Sequence, residues 1–380
     1  MKILQTIAGL NILSGGPSTC VYALVKGLRT ISDEVEILTF KSKKQNELIG
    51  NGEEWIKSCV NDKKTSLGIS QNIKKILNQS EYDLYHTNGL WLYTNHITSK
   101  IAKIKNKPFV LTPHGMLYPD ALKRSALKKI LTRKLWFDKD ILNANCIHAT
   151  CEDEAKHIRE FGYKGPIAVI GNVVEIPEYA KLADHKPTGK KIIGYLGRLH
   201  PRKHVEYIIE AISKLPNEIK GNILFQIMGK GVDEYEQFLK SQVKKFHLEK
   251  AVEFIGFVDG EEKYKRLQNL SALFVPSDFE NFGMIIPEAL ISGTPVMASL
   301  GTPWKSLNET QCGWWVDATI DNISEIIKEV VNMTEKEIVS MGTKGRKMII
   351  DNFSSNIIAT KMLQLYSWII NGGEKPEFVI

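Results

Sequence analysis

The stretch SDFENFGMIIPEALISGTP, Ser277 to Pro295, decides how the chain is read. The apolar run Ser271-Ala-Leu-Phe-Val-Pro276 precedes it, and Gly293 with Pro295 closes it. A strand that feeds a glycine-containing turn and then a short helix is how an open α/β sheet presents ligands at its carboxyl edge. Gly283 permits close backbone approach, and Met284 to Ile286 opens a helix that Gly293 caps. Glu280 falls in the turn and Glu288 about one turn inside the helix, so the two carboxylates meet one ligand from different points. The amides between them suit an anion such as a diphosphate. A capping acid and a buried, paired glutamate explain the two residues equally well at this point.

Outward from this stretch, strands and helices alternate in both directions. Upstream, the pattern predicts strands at Lys2 to Ala8, Val35 to Phe40, Leu84 to His86, Phe109 to Thr112, Cys146 to Ala149 and Ile167 to Ile170. Helices are expected at Cys20 to Leu28, Ile69 to Leu77 and Ile97 to Ile104, with an amphipathic helix from Ala121 to Phe137 and residues 46–62 as a variable region. Glu175 to Lys191 reads as a linker. The alternation then restarts, with strands at Lys191 to Leu196, Ile223 to Met228, Val252 to Phe254, Ala272 to Val275 and Thr294 to Ala298. Helices fall at Val205 to Leu215, Tyr235 to Phe246, Glu261 to Leu267 and Ile320 to Val331, and a last long one at Ser355 to Ile370. The fold class is therefore α/β, with two Rossmann-like domains whose parallel sheets are covered on both faces.

A chain of 380 residues suits two domains, and 43% hydrophobic with 24% charged residues describes a globular protein. No run approaches the roughly 20 apolar residues of a spanning helix. The N-terminal MKILQTIAGLNILSGG has the outline of a signal peptide, but a strand, a glycine-rich turn and a helix account for it better. Five cysteines without a C-x-x-C pair argue for reduced thiols in a cytoplasmic protein, against disulfides and against zinc. The net charge of +7 is unevenly placed: Lys100 to Lys139 holds eleven Lys or Arg against Asp120 and Asp138. An anionic membrane or nucleic acid is the candidate partner of that run, and a solvated face is the plain alternative. Nucleic acid is disfavoured because the run lacks interleaved aromatics.

A dinucleotide oxidoreductase would show G-x-G-x-x-G after its first strand. The first loop offers only Gly15-Gly16-Pro17, which suits a nest for one phosphate or a sugar, or a simple tight turn. In the second half, Gly197-Arg198 ends a strand and Lys203 follows five residues later. A guanidinium and an ammonium there form a clamp for a leaving diphosphate, unless both are surface residues. The turns Ile227-Met-Gly229-Lys-Gly231 and Phe254-Ile-Gly-Phe257-Val258 lie on the same expected edge as walls for a nucleobase. The remaining histidines, His86, His148, His157, His200 and His204 among them, lack metal-ligand spacing and read as structural or surface groups.

Gly197-Arg198 with Lys203, Phe257-Val258 and Glu280-x7-Glu288 resemble the C-terminal half of the family 4 retaining glycosyltransferases, and Gly15-Gly16 with His114-Gly115-Met116 resembles their N-terminal half. The resemblance spans nearly the whole chain. It implies the GT-B architecture, two Rossmann-like domains facing across a cleft, with boundaries at 1–174 and 175–354 and the C-terminal segment 355–380 returning to the first domain. It implies a nucleotide-sugar donor, UDP before GDP, a glycan or lipid-linked saccharide acceptor, and no metal or other cofactor. By the same resemblance, Arg198 and Lys203 bind the donor diphosphate, Glu280 holds sugar hydroxyls, and Glu288 holds the ribose. Asn281, Phe282, Gly283, Met284 and Ile285 line the sugar and phosphates, His114 sits near the reacting carbon, and Gly16 meets phosphate. Glu280 on sugar hydroxyls disfavours a covalent intermediate, which needs two carboxylates about 5 Å apart. Attack from the leaving-group face follows, with the departing phosphate taking the acceptor's proton. One departure stands at Gly171-Asn172-Val173-Val174, where the family carries Pro-Asn-Gly-Val; it alters a backbone turn and no charged group. The segment from His114 to Lys123 is similar to enzymes of bacterial capsule, exopolysaccharide and O-antigen assembly. A sugar phosphorylase or epimerase on the same frame, or a nucleotide-sugar-binding protein without turnover, are the competing readings.

Overall fold

A computed structural model describes residues 1–380 except 12–15, 33, 42–47, 63–66, 124–132 and 183–188. The chain divides into two compact units, Met1–Glu175 together with Phe353–Ile380, and Ile176–Asn352. Gly15 and the middle of the basic segment lie outside the described residues.

In the first unit the order is β1 (Ile3–Gly9), α1 (Gly16–Arg29), β2 (Val35–Phe40), β3 (Ile56–Cys59), α2 (Gln71–Gln79), β4 (Leu84–Asn88), α3 (Tyr93–Ile104) and β5 (Phe109–Thr112). There follow α4 (Pro119–Lys123), a π-helical turn at Arg133–Phe137, α5 (Asp138–Leu142), β6 (Cys146–Ala149), α6 (Glu152–Glu160) and β7 (Ile167–Val169). The strands form one sheet in the order β3-β2-β1-β4-β5-β6-β7, parallel at every pairing. β4, β5 and β6 are buried along their whole length, which is why their side chains are apolar or fully hydrogen-bonded on both faces. The chain order doubles back between β1 and β4, and that switch point is where such sheets open a crevice at their carboxyl ends.

The second unit runs β8 (Lys191–Leu196), a 3₁₀ turn at Pro201–Lys203, α7 (Val205–Lys214), α8 (Asn217–Gly221), β9 (Ile223–Met228), α9 (Asp233–Lys245), β10 (Val252–Gly256), α10 (Gly260–Gln268) and β11 (Ala272–Val275). After these come α11 (Ile285–Ile291), β12 (Val296–Ser299), α12 (Ser306–Glu309), β13 (Gly313–Val316), α13 (Ile320–Asn332) and α14 (Glu335–Phe353). Its sheet has the order β10-β9-β8-β11-β12-β13, again parallel, with the switch point between β8 and β11. α15 (Ser355–Asn371) belongs to the first unit, where Ala359 and Ser355 approach Gly27 of α1. A Cβ at Gly27 would lie 2.4 Å from Ser355 Oγ, so a glycine is what lets the two helices meet this closely.

The structure departs from the expected elements in three places. Residues 46–62 contain the edge strand β3, whose only buried residue is Cys59, so no apolar alternation announces it. The sequence pattern assigns no element between Val331 and Ser355, where the 19-residue α14 carries Gly342 and Gly345. Both are packing positions: a Cβ on Gly342 would stand 2.0 Å from the Gly293 carbonyl, and one on Gly345 2.7 Å from Leu290. The expected Ala121–Phe137 helix is described only at its ends, as α4 at Pro119–Lys123 and as the π-helical turn at Arg133–Phe137, whose pitch departs from a 3.6-residue face. Arg124, Lys128 and Lys129 lie outside the described residues. Of its described cations, Lys123 pairs with Asp120 at 3.0 Å and Arg133 with Asp138 at 3.0 Å.

Candidate functional site

The carboxyl ends of β8 and β11 flank the second switch point, and their loops carry the residues singled out in the sequence. Gly197, with φ at +154°, turns the chain out of β8, and Tyr195 donates to the Arg198 carbonyl at 2.9 Å. Arg198 is exposed and makes no ion pair among the described residues. His200 caps the 3₁₀ turn by accepting from the Arg202 amide, which delivers Lys203 to the β11 loop. There Lys203 forms an ion pair with Glu280, and Ser277 donates to the same carboxylate oxygen at 2.9 Å. The two ionic partners are 77 residues apart in the chain, and only the adjacency of β8 and β11 brings them together.

The turn after Glu280 is braced from below. Trp304, buried beneath it, donates its indole N–H to the Phe282 carbonyl and meets the Phe282 ring edge-on at 5.2 Å. Gly283 has φ at +73°, a conformation that penalises any side chain. Among the described residues, the amides of Gly283, Met284 and Ile285 donate to no protein acceptor, although Gly283 and Met284 accept through their carbonyls. α11 follows and ends in a Schellman motif, with Gly293 donating to Leu290 and Thr294 to Ala289, each at 3.0 Å. Glu288 lies in the first turn of α11 and pairs with Lys263 of α10 at 2.8 Å. Burial pushes the Glu288 carboxyl up, and Lys263 pulls it back.

Gly229 and Gly231 support the Arg198 loop. A Cβ on Gly229 would sit 1.9 Å from the Gly197 carbonyl, and one on Gly231 2.0 Å from that of Leu199. The close approach lets Gly197 and Leu199 continue the ladder, donating to Met228 at 3.0 Å and Lys230 at 2.9 Å. Phe257 and Val258 lie in the loop after β10, the outer strand of the sheet, and Phe257 is 65% exposed. His204 is a further feature of this edge. Held at φ +49°, it stacks on Tyr207 and bonds Asp278 and Glu206. Burial works against its charge, but those two carboxylates outweigh it and raise its pKa.

In the first unit the equivalent edge holds Gly16, Asn88 and His114. α1 starts at Gly16 with no acidic residue in its first turn, so the partial positive charge of its N-terminus is not offset by its own side chains. Ser18 ties that start to the end of β1 by donating to the Gly9 carbonyl at 2.8 Å. His114 and Gly115 both adopt positive φ, +52° and +76°. The buried Glu154 of α6 accepts from the Gly115 amide and from Thr150, which fixes the turn from behind. His114 Nε2 reaches Asn88 Oδ1 at 3.0 Å, and burial holds the imidazole neutral with its pKa lowered to about 3. His114, Asn88 and His148 line one pocket together with Cys20 and Asn172.

Lys263, Trp304 and Glu154 escaped the sequence reading, since nothing in their spacing links them to Glu288, Phe282 or Gly115, and Ser277, which heads the Ser277 to Pro295 stretch, was given no role there. Among the described residues no group of three or more His, Cys, Asp or Glu side chains is arranged to hold a metal, and no helix is long and apolar enough to cross a membrane. All five cysteines are buried thiols.

Residues 14–177 match the family described as Glycosyltransferase Family 4, and residues 177–348 match Glycosyl transferases group 1. The chain belongs to these glycosyltransferases. It is 22% identical over 377 residues to the O-antigen biosynthesis glycosyltransferase WclY of Escherichia coli, covering 97% of this chain and 98% of that one. It is 25% identical to the lipopolysaccharide core biosynthesis glycosyltransferase LpsE of Rhizobium meliloti, over 65% of this chain and 70% of LpsE. Among solved structures, HepE of Anabaena in complex with UDP superimposes with a TM-score of 0.73 at 18% identity, covering 97% of this glycosyltransferase and 100% of HepE. Sucrose-phosphate synthase of Thermosynechococcus elongatus gives 0.74 at 18% identity, covering 98% and 100%. The likeness is one of fold: two Rossmann-like units of the GT-B class.

Proposed function

We propose that this glycosyltransferase moves a hexose-type sugar from a nucleotide-sugar, UDP-linked first and GDP-linked second, to a glycan or lipid-linked saccharide in cell-surface polysaccharide assembly, with retention at the anomeric carbon. The observation that carries the reading is the convergence of Lys203, Glu280 and Ser277 beside Arg198 at the switch point of the second sheet. A carboxylate and two cations at one carboxyl edge suit a ligand that joins hydroxyls to a diphosphate. The relatives' names point the same way, toward O-antigen and lipopolysaccharide core synthesis, and HepE carries UDP.

In this reading Arg198 and Lys203 stabilise the charge that develops on the departing diphosphate, with the amides of Gly283 to Ile285 as further donors. Lys203 then bridges the phosphate and Glu280, which takes sugar hydroxyls. Glu288, already paired with Lys263, takes the ribose hydroxyls. Asn281, Phe282 and Gly229 shape the turn and its support, and Phe257 with Val258 covers the base. The first unit offers Gly16 to a phosphate and His114 to a sugar hydroxyl at its own switch-point edge. The departing phosphate accepts the proton of the attacking hydroxyl, so the protein contributes positioning and electrostatics and needs no metal. The basic segment 121–137 supplies contact with anionic lipid headgroups at the cytoplasmic face of the membrane.

The test is a binding and transfer screen against UDP-, GDP- and ADP-sugars with wild type and Arg198→Ala. Arg198→Ala weakens nucleotide binding about tenfold or more, the scale of one charge-assisted hydrogen bond to phosphate. Equal affinity removes Arg198 from the clamp. Phosphate-dependent cleavage of a glycoside without nucleotide would identify a phosphorylase instead, and binding without turnover a sensor.

A further inference from the structure

The first unit buries a continuous chain of side-chain hydrogen bonds whose direction is set by a single carbonyl. The Ile170 carbonyl only accepts, so His148 Nε2 donates to it at 2.7 Å. The Nδ1 of this neutral ring therefore accepts, and Thr112 Oγ1, 2.9 Å away, donates to it. Having spent its one proton, the Thr112 hydroxyl accepts from His86 Nε2 at 2.7 Å. His86 Nδ1 is then the acceptor, and Tyr366 of α15 donates to it at 2.7 Å. Gln5 donates to the Tyr366 oxygen at 2.6 Å and reaches His86 Nδ1 directly at 3.0 Å. Gln5 Oε1 accepts from Asn88 Nδ2 at 2.7 Å, which turns Asn88 Oδ1 toward His114 Nε2. Every donor in the series has an acceptor, and reversing any link would set two protons or two lone pairs against each other. Gln5, His86, Thr112 and Tyr366 are fully buried, so bulk water does not reset the order.

The geometry points to Gln5 and Asn88 as positioning residues that hold His114 as its Nε2–H tautomer, so that Nδ1 meets a ligand as a hydrogen-bond acceptor and the ring never serves as an acid. The inference rests on His114 belonging to the sugar site proposed above, but the tautomer is a property of the free protein. A neutral ring with an open Nδ1 takes a ligand hydroxyl as donor, and it discriminates against a ligand that lacks the hydroxyl or replaces it with fluorine. The ring's charge is also withheld from the reaction, consistent with burial among His86 and His148, neither of which has a compensating carboxylate among the described residues. Among the described residues no carboxylate is hydrogen-bonded to His114; Glu154 bonds the neighbouring Gly115 amide and Thr150 instead.

Histidine ¹⁵N spectra of the full-length protein test this without any activity. His114, assigned by its loss in His114→Asn, should show a protonated Nε2, an unprotonated Nδ1 and no titration between pH 5.5 and 8. Gln5→Glu keeps the shape of the side chain but removes the donor to His86 Nδ1 and to Tyr366. A histidine that titrates inside that window should appear, and kcat/KM for transfer should gain a matching pH limb. Gln5→Leu, which removes the links altogether, should lower kcat/KM about threefold to tenfold, the worth of one misaligned hydrogen bond, with far-ultraviolet circular dichroism unchanged. An Nδ1-protonated or titrating His114 in the wild type overturns the inference, as does a Gln5→Glu spectrum identical to the wild type. If the wild type transfers no sugar from any nucleotide while the tautomer is as described, the proposed function fails and the positioning role stands.

Discussion

Lowering the pH from 7 to 5 should destabilise the first unit through three buried histidines. Burial lowers the pKa of His86 well below the ordinary value, that of His148 to about 4 and that of His114 to about 3. In the unfolded chain each titrates near 6.5. A base whose folded pKa lies below its unfolded one leaves the unfolded chain holding more protons. Its contribution to stability is therefore complete above about pH 6.5 and is lost as the pH falls toward the folded values. Over this window each histidine costs about 2 kcal/mol between pH 7 and 5, and the three together about 6 kcal/mol. That loss rivals the total stability of an ordinary domain, about 5–15 kcal/mol. His204 in the second unit has the opposite sign. Its raised pKa makes its contribution complete below the ordinary histidine value and lost as the pH climbs through the raised one, so acid does not weaken the second unit by this route. Native-state hydrogen exchange on the amides of β4, β5 and β6 at pH 7, 6 and 5, corrected for intrinsic rates, measures the first unit separately. His148→Gln, which removes one titrating ring, should reduce the loss by about a third. A first unit whose opening free energy changes by less than about 1 kcal/mol over this range, or a variant that loses as much as the wild type, refutes the reasoning.

Two further outcomes follow from packing. Tyr366→Phe leaves the Gln5 amide and His86 short of one partner in a dry interior and should cost the first unit about 1–3 kcal/mol in urea unfolding, with the transition of the second unit unmoved. Gly229→Ala forces a Cβ toward the Gly197 carbonyl at a positive φ; it should cost about 2 kcal/mol or more and weaken nucleotide binding along with it, because the displaced loop carries Arg198.

Both sheets were legible in the sequence wherever a strand is buried on both faces, as at Ala272–Val275 and Cys146–Ala149, because a continuous apolar run has few other uses. β3 was not, since Ile56, Lys57 and Ser58 are only partly buried and the strand pairs on one side alone. α14 was not legible either, and the role of Gly342 and Gly345 in letting the helix lie against Gly293 and Leu290 depends on contacts across the fold. The candidate site was reached by motif. Gly197-Arg198, Lys203 and the 280–288 stretch stood out, yet the link from Lys203 to Glu280 spans 77 residues and is visible only once β8 lies beside β11. The histidines illustrate the same limit. His86 and His148 read as structural for want of metal-ligand spacing, but their part in a one-way chain from Ile170 to His114 runs through Gln5 and Tyr366, which lie 361 residues apart.

The central claim is that the second unit holds a nucleotide-sugar with Glu280 on the sugar. Measuring UDP affinity calorimetrically and sugar transfer in parallel for wild type and Glu280→Gln tests it most directly. The amide keeps the volume and frees Lys203, so UDP should bind within about threefold of wild type or tighter, while transfer should fall on the order of a hundredfold or more. Transfer at the wild-type rate, or loss of UDP binding in step with transfer, would contradict it.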